Sequence, residues 1–116
     1  MADIKKSRQQ KLPGCTYQTK TGCGTLYITI NEDEGCPFEV FITMGKAGGC
    51  AASQLESIGR LVSLGLRYGA PPAQFVKQLQ GISCHSPIVA EGNKVLSCAD
   101  AIAKAIKLHM DGKDKK

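Results

Sequence analysis

Thr25-Leu26-Tyr27-Ile28-Thr29-Ile30 and, beyond an acidic connection, Phe38-Glu39-Val40-Phe41-Ile42-Thr43-Met44 decide the fold class. In the first stretch Leu26, Ile28 and Ile30 share one side, with Tyr27 and Thr29 on the other. In the second, Phe38, Val40, Ile42 and Met44 oppose Glu39, Phe41 and Thr43. This period of two belongs to half-buried strands. Asn31-Glu32-Asp33-Glu34-Gly35 has the length of a hairpin connection. Upstream, Thr16-Tyr17-Gln18-Thr19-Lys20-Thr21 is rich in β-branched and aromatic residues, and Gly22-Cys23-Gly24 reads as a turn. The expectation is an antiparallel meander of three strands.

The period then changes. Leu55, Ile58, Leu61, Val62 and Leu66 recur at three and four residues, predicting a helix from Cys50 to Tyr68 that Gly69 stops. Pro71-Pro72 opens a second helix to about residue 80, with Phe75, Val76 and Leu79 toward the core. A short strand near Val95-Leu96 precedes a last helix to about Met110. Ser97 serves as its N-cap, with Asp100 three residues on. The class is α+β: an antiparallel three-stranded meander followed by about three helices, in two layers.

Composition bounds the function. The 116 residues hold 15 Lys plus Arg against 10 Asp plus Glu, six cysteines and no tryptophan. That suits one domain with a modest core. Residues 1–12 carry Lys5, Lys6, Arg8 and Lys11 against Asp3, and read as a basic flexible tail. Residues 111–116 read as a second flexible tail, and the body at 13–110 is nearly neutral. A nucleic-acid face on that body is poorly supported. No apolar run has the length of a membrane span or signal peptide, so a cytoplasmic protein with reduced thiols is expected.

The cysteines stand at 15, 23, 36, 50, 84 and 98, with no Cys-x-x-Cys. Cys23, Cys50, Cys84 and Cys98 all fall at junctions between elements, and Cys50 and Cys98 begin helices, where a thiolate is favoured. Four such thiolates suit zinc, with iron as competitor; four unrelated buried thiols are the other reading. Cys15 and Cys36 read as packing residues, and His85 as a bystander beside Cys84. His109 reads as a complement to a helix C-terminus. Gly45-Lys46-Ala47-Gly48-Gly49 lacks the phosphate-loop order, and Glu32-Asp33-Glu34 reads as a solvated hairpin tip. No catalytic Ser–His–Asp set or carboxylate pair is present.

Several stretches together carry a resemblance over about residues 15–108. They are Thr21-Gly22-Cys23-Gly24-Thr25-Leu26-Tyr27, Pro37-Phe38-Glu39-Val40-Phe41-Ile42, Gly45-Lys46-Ala47-Gly48-Gly49-Cys50, Ile58-Gly59-Arg60-Leu61-Val62-Ser63-Leu64, Gln78-Leu79-Gln80-Gly81-Ile82 and Ser97-Cys98-Ala99-Asp100-Ala101-Ile102. The sequence resembles the TSCPD domain, a C-terminal module of adenosylcobalamin-dependent ribonucleotide reductases that also occurs as short free-standing proteins. The resemblance implies that Cys23, Cys50, Cys84 and Cys98 act together as metal ligands, as suspected for the four-cysteine members. The motif here is Leu96-Ser97-Cys98-Ala99-Asp100, without the family's first Thr or its Pro, and His85 stands where relatives often have Pro.

The reductase's catalytic barrel, radical cysteine and cobalamin site have no counterpart in this sequence. The expectation is a non-catalytic, metal-binding accessory or regulatory module, partnered by a reductase-like protein or by a second copy in a homodimer. A nucleotide or nucleic-acid binding module and a thiol redox protein are the alternatives. The sheet face that carries Tyr27 and Phe41, or an open sheet edge, is expected to be covered by a second copy in a homodimer or by the reductase-like partner; the alternative is that the N-terminal strand or tail folds over it within the monomer.

Overall fold

Leu26, Ile28 and Ile30 of β2 (Gly24–Asp33) are fully buried, and the rest of the molecule is arranged to cover them. β1 (Gly14–Thr21) and β3 (Cys36–Met44) flank β2 in an antiparallel sheet of order β1-β2-β3. The computed structural model describes residues 4–45, 49–90 and 92–114. Register follows the alternation: Tyr17, Ile28 and Ile42 lie abreast on the inner face, and Gln18, Tyr27 and Thr43 on the outer. After the sheet come α1 (Gly49–Arg67), α2 (Pro72–Leu79), a two-stranded ribbon of β4 (Ile88–Ala90) and β5 (Asn93–Val95), and α3 (Cys98–Asp114). The α+β meander-then-helices architecture is therefore as expected, with a small hairpin in place of a single short strand.

α3 packs on β1 and β2, with Ala101, Ile102, Ala105 and Ile106 entering the core. α1 packs on β3 through Leu55, Gly59, Val62 and Leu66. Leu61, expected inside, is 69% exposed, because the buried stripe runs through Gly59 on the opposite side. Gly59 matters for close approach: a Cβ there would stand 3.1 Å from the Val40 carbonyl oxygen. Next to it, Ser63 Oγ accepts the Val40 N–H at 2.9 Å and donates to the Val40 carbonyl at 3.1 Å. Part of the β3 edge is thus closed from within the chain.

Residues 4–13 have no regular structure, but they are held to the body. Lys6 N–H donates to the Arg67 carbonyl at 2.9 Å, and Arg67 Nε–H returns a bond to the Lys6 carbonyl at 3.1 Å. Arg67 also lies over the Phe38 ring, 5.1 Å from its centre. Arg8 forks onto the Glu39 carboxylate with two bonds of 2.9 Å, and Asn31 Nδ2 donates to the same carboxylate at 2.6 Å. These contacts bury Glu39 on the outer sheet face, while Tyr27 (39%) and Phe41 (54%) stay exposed. At the other end α3 continues to Asp114, past the expected stop near Met110.

The acidic connection departs from expectation. The inward alternation of β2 runs one step further than expected, and Glu32 meets His109 Nε2 at 2.5 Å. Asp33 is buried beside Lys6, whose Nζ lies 3.1 Å from Oδ2. His109 is itself buried, and its Nδ1 is 2.7 Å from the Tyr17 hydroxyl. It ties α3 to both β1 and β2 instead of serving a helix terminus.

The Arg8 fork first, and then the Asn31 amide, hold the Glu39 carboxyl below its ordinary pKa despite burial. A depressed carboxylate contributes stability above its unfolded-state pKa, and that contribution is lost as pH falls through the folded value. Arg8→Ala is expected to lower Tm at pH 7, with the difference from wild type shrinking below about pH 4. Thermal melts of both proteins across this range check it.

Candidate metal centre

Cys23, Cys84 and Cys98 come from three separate parts of the fold: the β1–β2 turn, the loop before β4, and the first residue of α3. The structure sets the Cys23 thiol against both others. The Cys23 side chain is exposed, yet the partial loss of water around its sulfur raises its pKa, and the adjoining Cys98 and Cys84 thiols raise it further, since negative charge on any one opposes charge on the next. Cys84 Sγ accepts the Ser86 N–H at 3.3 Å, and Cys98 Sγ lies 3.6 Å from Thr21 Oγ1. The Thr21 hydroxyl proton goes to the Gly24 carbonyl at 2.8 Å, so Thr21 and Cys98 adjoin without an assigned donor. The donor set, three soft thiols, fits zinc or iron. As the side chains stand, no three His, Cys, Asp or Glu groups among the described residues are gathered closely enough to hold an ion.

Two devices bring the thiols together. The first is steric. A Cβ on Gly22 would lie 1.8 Å from the Ser86 carbonyl oxygen, so only glycine lets the β1–β2 turn rest on the Cys84–Ser86 backbone. The second is the N-cap of α3. Ser97 Oγ accepts the Asp100 N–H at 3.1 Å and donates to the Ile82 carbonyl at 2.5 Å. Asp100 accepts the Gly81 N–H at 2.9 Å on one oxygen and the Leu96 N–H at 3.1 Å on the other. Cys84 N–H in turn donates to the Leu96 carbonyl at 3.0 Å. The expected Ser97–Asp100 cap is present, and it also binds the loop that carries Cys84 to the helix that carries Cys98.

The fourth candidate, Cys50, is exposed in the first turn of α1 and is not among the groups acting on Cys23. Its helix follows the end of β3 nearest the Cys23 turn, where Met44 pairs with Leu26 and Gly45 N–H donates to the Thr25 carbonyl at 3.3 Å. Residues 46–48 of the glycine-rich stretch lie outside the described residues. His85 is exposed. Cys15 and Cys36, expected to pack, are exposed as well; they occupy strand ends that the helices leave uncovered. Sequence reasoning missed Thr21, Gly22 and Ser86 as parts of this site. The only signal was Thr21-Gly22 adjoining Cys23.

The TSCPD domain sequence model matches residues 3–110. The chain belongs to the TSCPD domain family. Among curated proteins, this TSCPD domain is similar to a vitamin B12-dependent ribonucleotide reductase of Streptantibioticus cattleyicolor, 32% identical over 77 residues, which are 65% of this chain and 13% of that protein. The enzyme of the same name from Agrobacterium fabrum is 27% identical over 99 residues, 81% of this chain and 8% of the relative. That of Bradyrhizobium diazoefficiens is 29% identical over 99 residues, again 8% of its length. The chain thus spans a small fraction of the curated relatives it matches. No solved structure matches it significantly. No helix among the described residues is long and apolar enough to cross a membrane.

Burial opposes the charge on Asp100, but the Gly81, Lys104 and Leu96 hydrogen bonds outweigh it and hold its pKa below the ordinary value. Asp100→Ala strips partners from two backbone amides, and is expected to cost about 2–4 kcal/mol in urea unfolding at pH 7. The loss is expected to shrink as pH falls below about 4, since the carboxylate's contribution disappears there in wild type too.

Proposed function

We propose that this TSCPD domain is a non-catalytic zinc-binding accessory or regulatory module of a ribonucleotide reductase-like protein. The observation that carries the reading is the meeting of Cys23, Cys84 and Cys98 from three elements. In this reading these three thiols hold the ion and Cys50 supplies the fourth ligand, brought across from the start of α1. Bound zinc supplies a cross-link with no redox chemistry of its own. Gly22, Ser86 and the Ser97–Asp100 cap keep the ligand-bearing loops adjacent, so a short movement of the side chains completes the site. The family relation supports a reductase-related context.

Metal analysis of protein purified without added metal tests this. About one equivalent of zinc is expected, together with protection of Cys23, Cys50, Cys84 and Cys98 from thiol labelling that is lost on chelation. Less than about 0.2 equivalents, with freely labelled thiols, overturns the reading. Cys23→Ser is expected to lower stability far more than Cys15→Ser, because it removes a proposed ligand whereas Cys15, exposed like Cys23, lies outside the proposed site. The contact of Cys23 with two other thiols also suits a second reading, reversible disulfide chemistry. A metal-free protein in which one cysteine labels rapidly near pH 6 favours that reading.

The outer sheet face, with exposed Tyr27 and Phe41 beside Thr29 and Thr43, is proposed to meet a second copy of the chain. Light scattering at micromolar concentration is expected to give about twice the monomer mass of 12.3 kDa. Phe41→Glu is expected to return the mass to that of the monomer. A wild-type monomer mass that does not change with concentration overturns self-association through this face.

A further inference from the structure

We propose, on the basis of the self-association reading above, that two copies exchange residues 4–8, Arg8 of each chain forking onto Glu39 of the other. The segment is anchored at alternate residues. Lys6 Nζ lies 3.1 Å from the buried Asp33 carboxylate, and Arg8 reaches Glu39 with two bonds of 2.9 Å. At the first anchor, Lys6 N–H donates to the Arg67 carbonyl at 2.9 Å and the Lys6 carbonyl accepts Arg67 Nε–H at 3.1 Å. Alternate side-chain anchors with main-chain pairing are how a groove recognises an extended peptide. Asp33 lines a cavity of about 280 Å³ with Pro37, Phe38 and Leu66, and Ile4 stays 82% exposed at its rim. The groove thus fits an extended segment with Lys and Arg two residues apart, and this chain carries one.

These anchors do not require the segment to belong to the same chain. They stand on β2, β3 and the end of α1, whereas the segment leads into β1, at the opposite edge of the sheet from β3. The connection folds on Arg8, whose Nη1 donates to the Gln9 carbonyl at 2.7 Å and the Gln10 carbonyl at 3.2 Å. Among the described residues, the next main-chain tie to the sheet is at Pro13, whose carbonyl accepts the Glu32 N–H at 2.8 Å. A short connection between two fixed points is a hinge of the kind that exchanges segments between copies. Within one chain the tether gives the segment an effective concentration on the order of mM, so exchange needs an interface that holds two copies together. The outer sheet face supplies it. Glu39 stands two residues from the exposed Phe41 on the same face of β3, opposite Asn31 where Phe41 is opposite Thr29. A two-fold contact there sets both Glu39 sites at one interface, and the exchange is reciprocal, as such symmetry demands.

The test mixes two full-length variants, Arg8→Glu and Glu39→Arg, in equal amounts. In either variant alone, like charges meet wherever the segment seats, in its own chain or in a second copy. In the mixture, exchange between unlike chains joins opposite charges at both seats, while seating within a chain still repels. Native mass spectrometry is expected to show the heterodimer well above the half share that random pairing gives, and the mixture is expected to melt above either variant alone. A random share with unchanged melting overturns the exchange. Should Glu39→Arg not fold, wild type carries the test, with half of the chains labelled with ¹³C and ¹⁵N. Isotope-filtered NOEs between Arg8 of one chain and Glu39 or Asn31 of another are expected. A wild-type dimer whose Arg8–Glu39 contacts stay within one chain overturns the exchange and leaves the dimer standing. A wild-type mass that stays at 12.3 kDa at every concentration overturns self-association and the exchange together.

Discussion

Asp100 holds Gly81 with one carboxylate oxygen and Leu96 with the other, from a position 2% exposed at the start of α3. A buried carboxylate is stable only if its lone pairs are satisfied, and here the donors are main-chain amides of the segments on either side of the β4–β5 ribbon. The constraint closes the chain from residue 81 to residue 100 into a loop with a fixed base. Cys84 and Cys98 lie inside that base. The β1–β2 turn then needs only to lie flat on Ser86, which Gly22 permits, for Cys23 to join them.

The same economy governs the sheet. β2 is central and its inner face is sealed by helices, whereas the flanking strands are finished by single polar side chains. Ser63 satisfies both main-chain groups of Val40, and Arg8 with Asn31 satisfies Glu39. With an inner face built from aliphatic side chains and alanines, these polar closures fix where each element sits against the sheet.

Most of the architecture was legible because it rests on local periodicity. Alternation from Leu26 to Ile30 and from Phe38 to Met44 gave the strands and their inward residues. Gly69 marked a helix end by its positive φ, and Ser97 marked a helix start by its side-chain hydroxyl. What was not legible depended on distant partners. Leu61 and Val62 both satisfy a helical repeat, and only the approach of Gly59 to Val40 shows which side is covered. Glu32 lay on the inward parity of β2, but its partner His109 is 77 residues away. For the site, junction positions singled out the cysteines, and the fold brings three of the four together. Thr21, Gly22 and Ser86 act through contacts that no spacing rule encodes.

The sequence separation of the three thiols also has a kinetic side. Within this domain Cys23 is made first, Cys84 much later, and Cys98 and Asp100 after both. Until α3 has left the ribosome, the inner face of β1 and β2 lacks its cover and the loop carrying Cys84 lacks its anchor. A nascent chain therefore offers scattered thiols, and Cys23, Cys84 and Cys98 become neighbours only after α3 docks. The neighbourhood of these three cysteines therefore reports that this domain has folded through α3, which no local three-residue motif would provide.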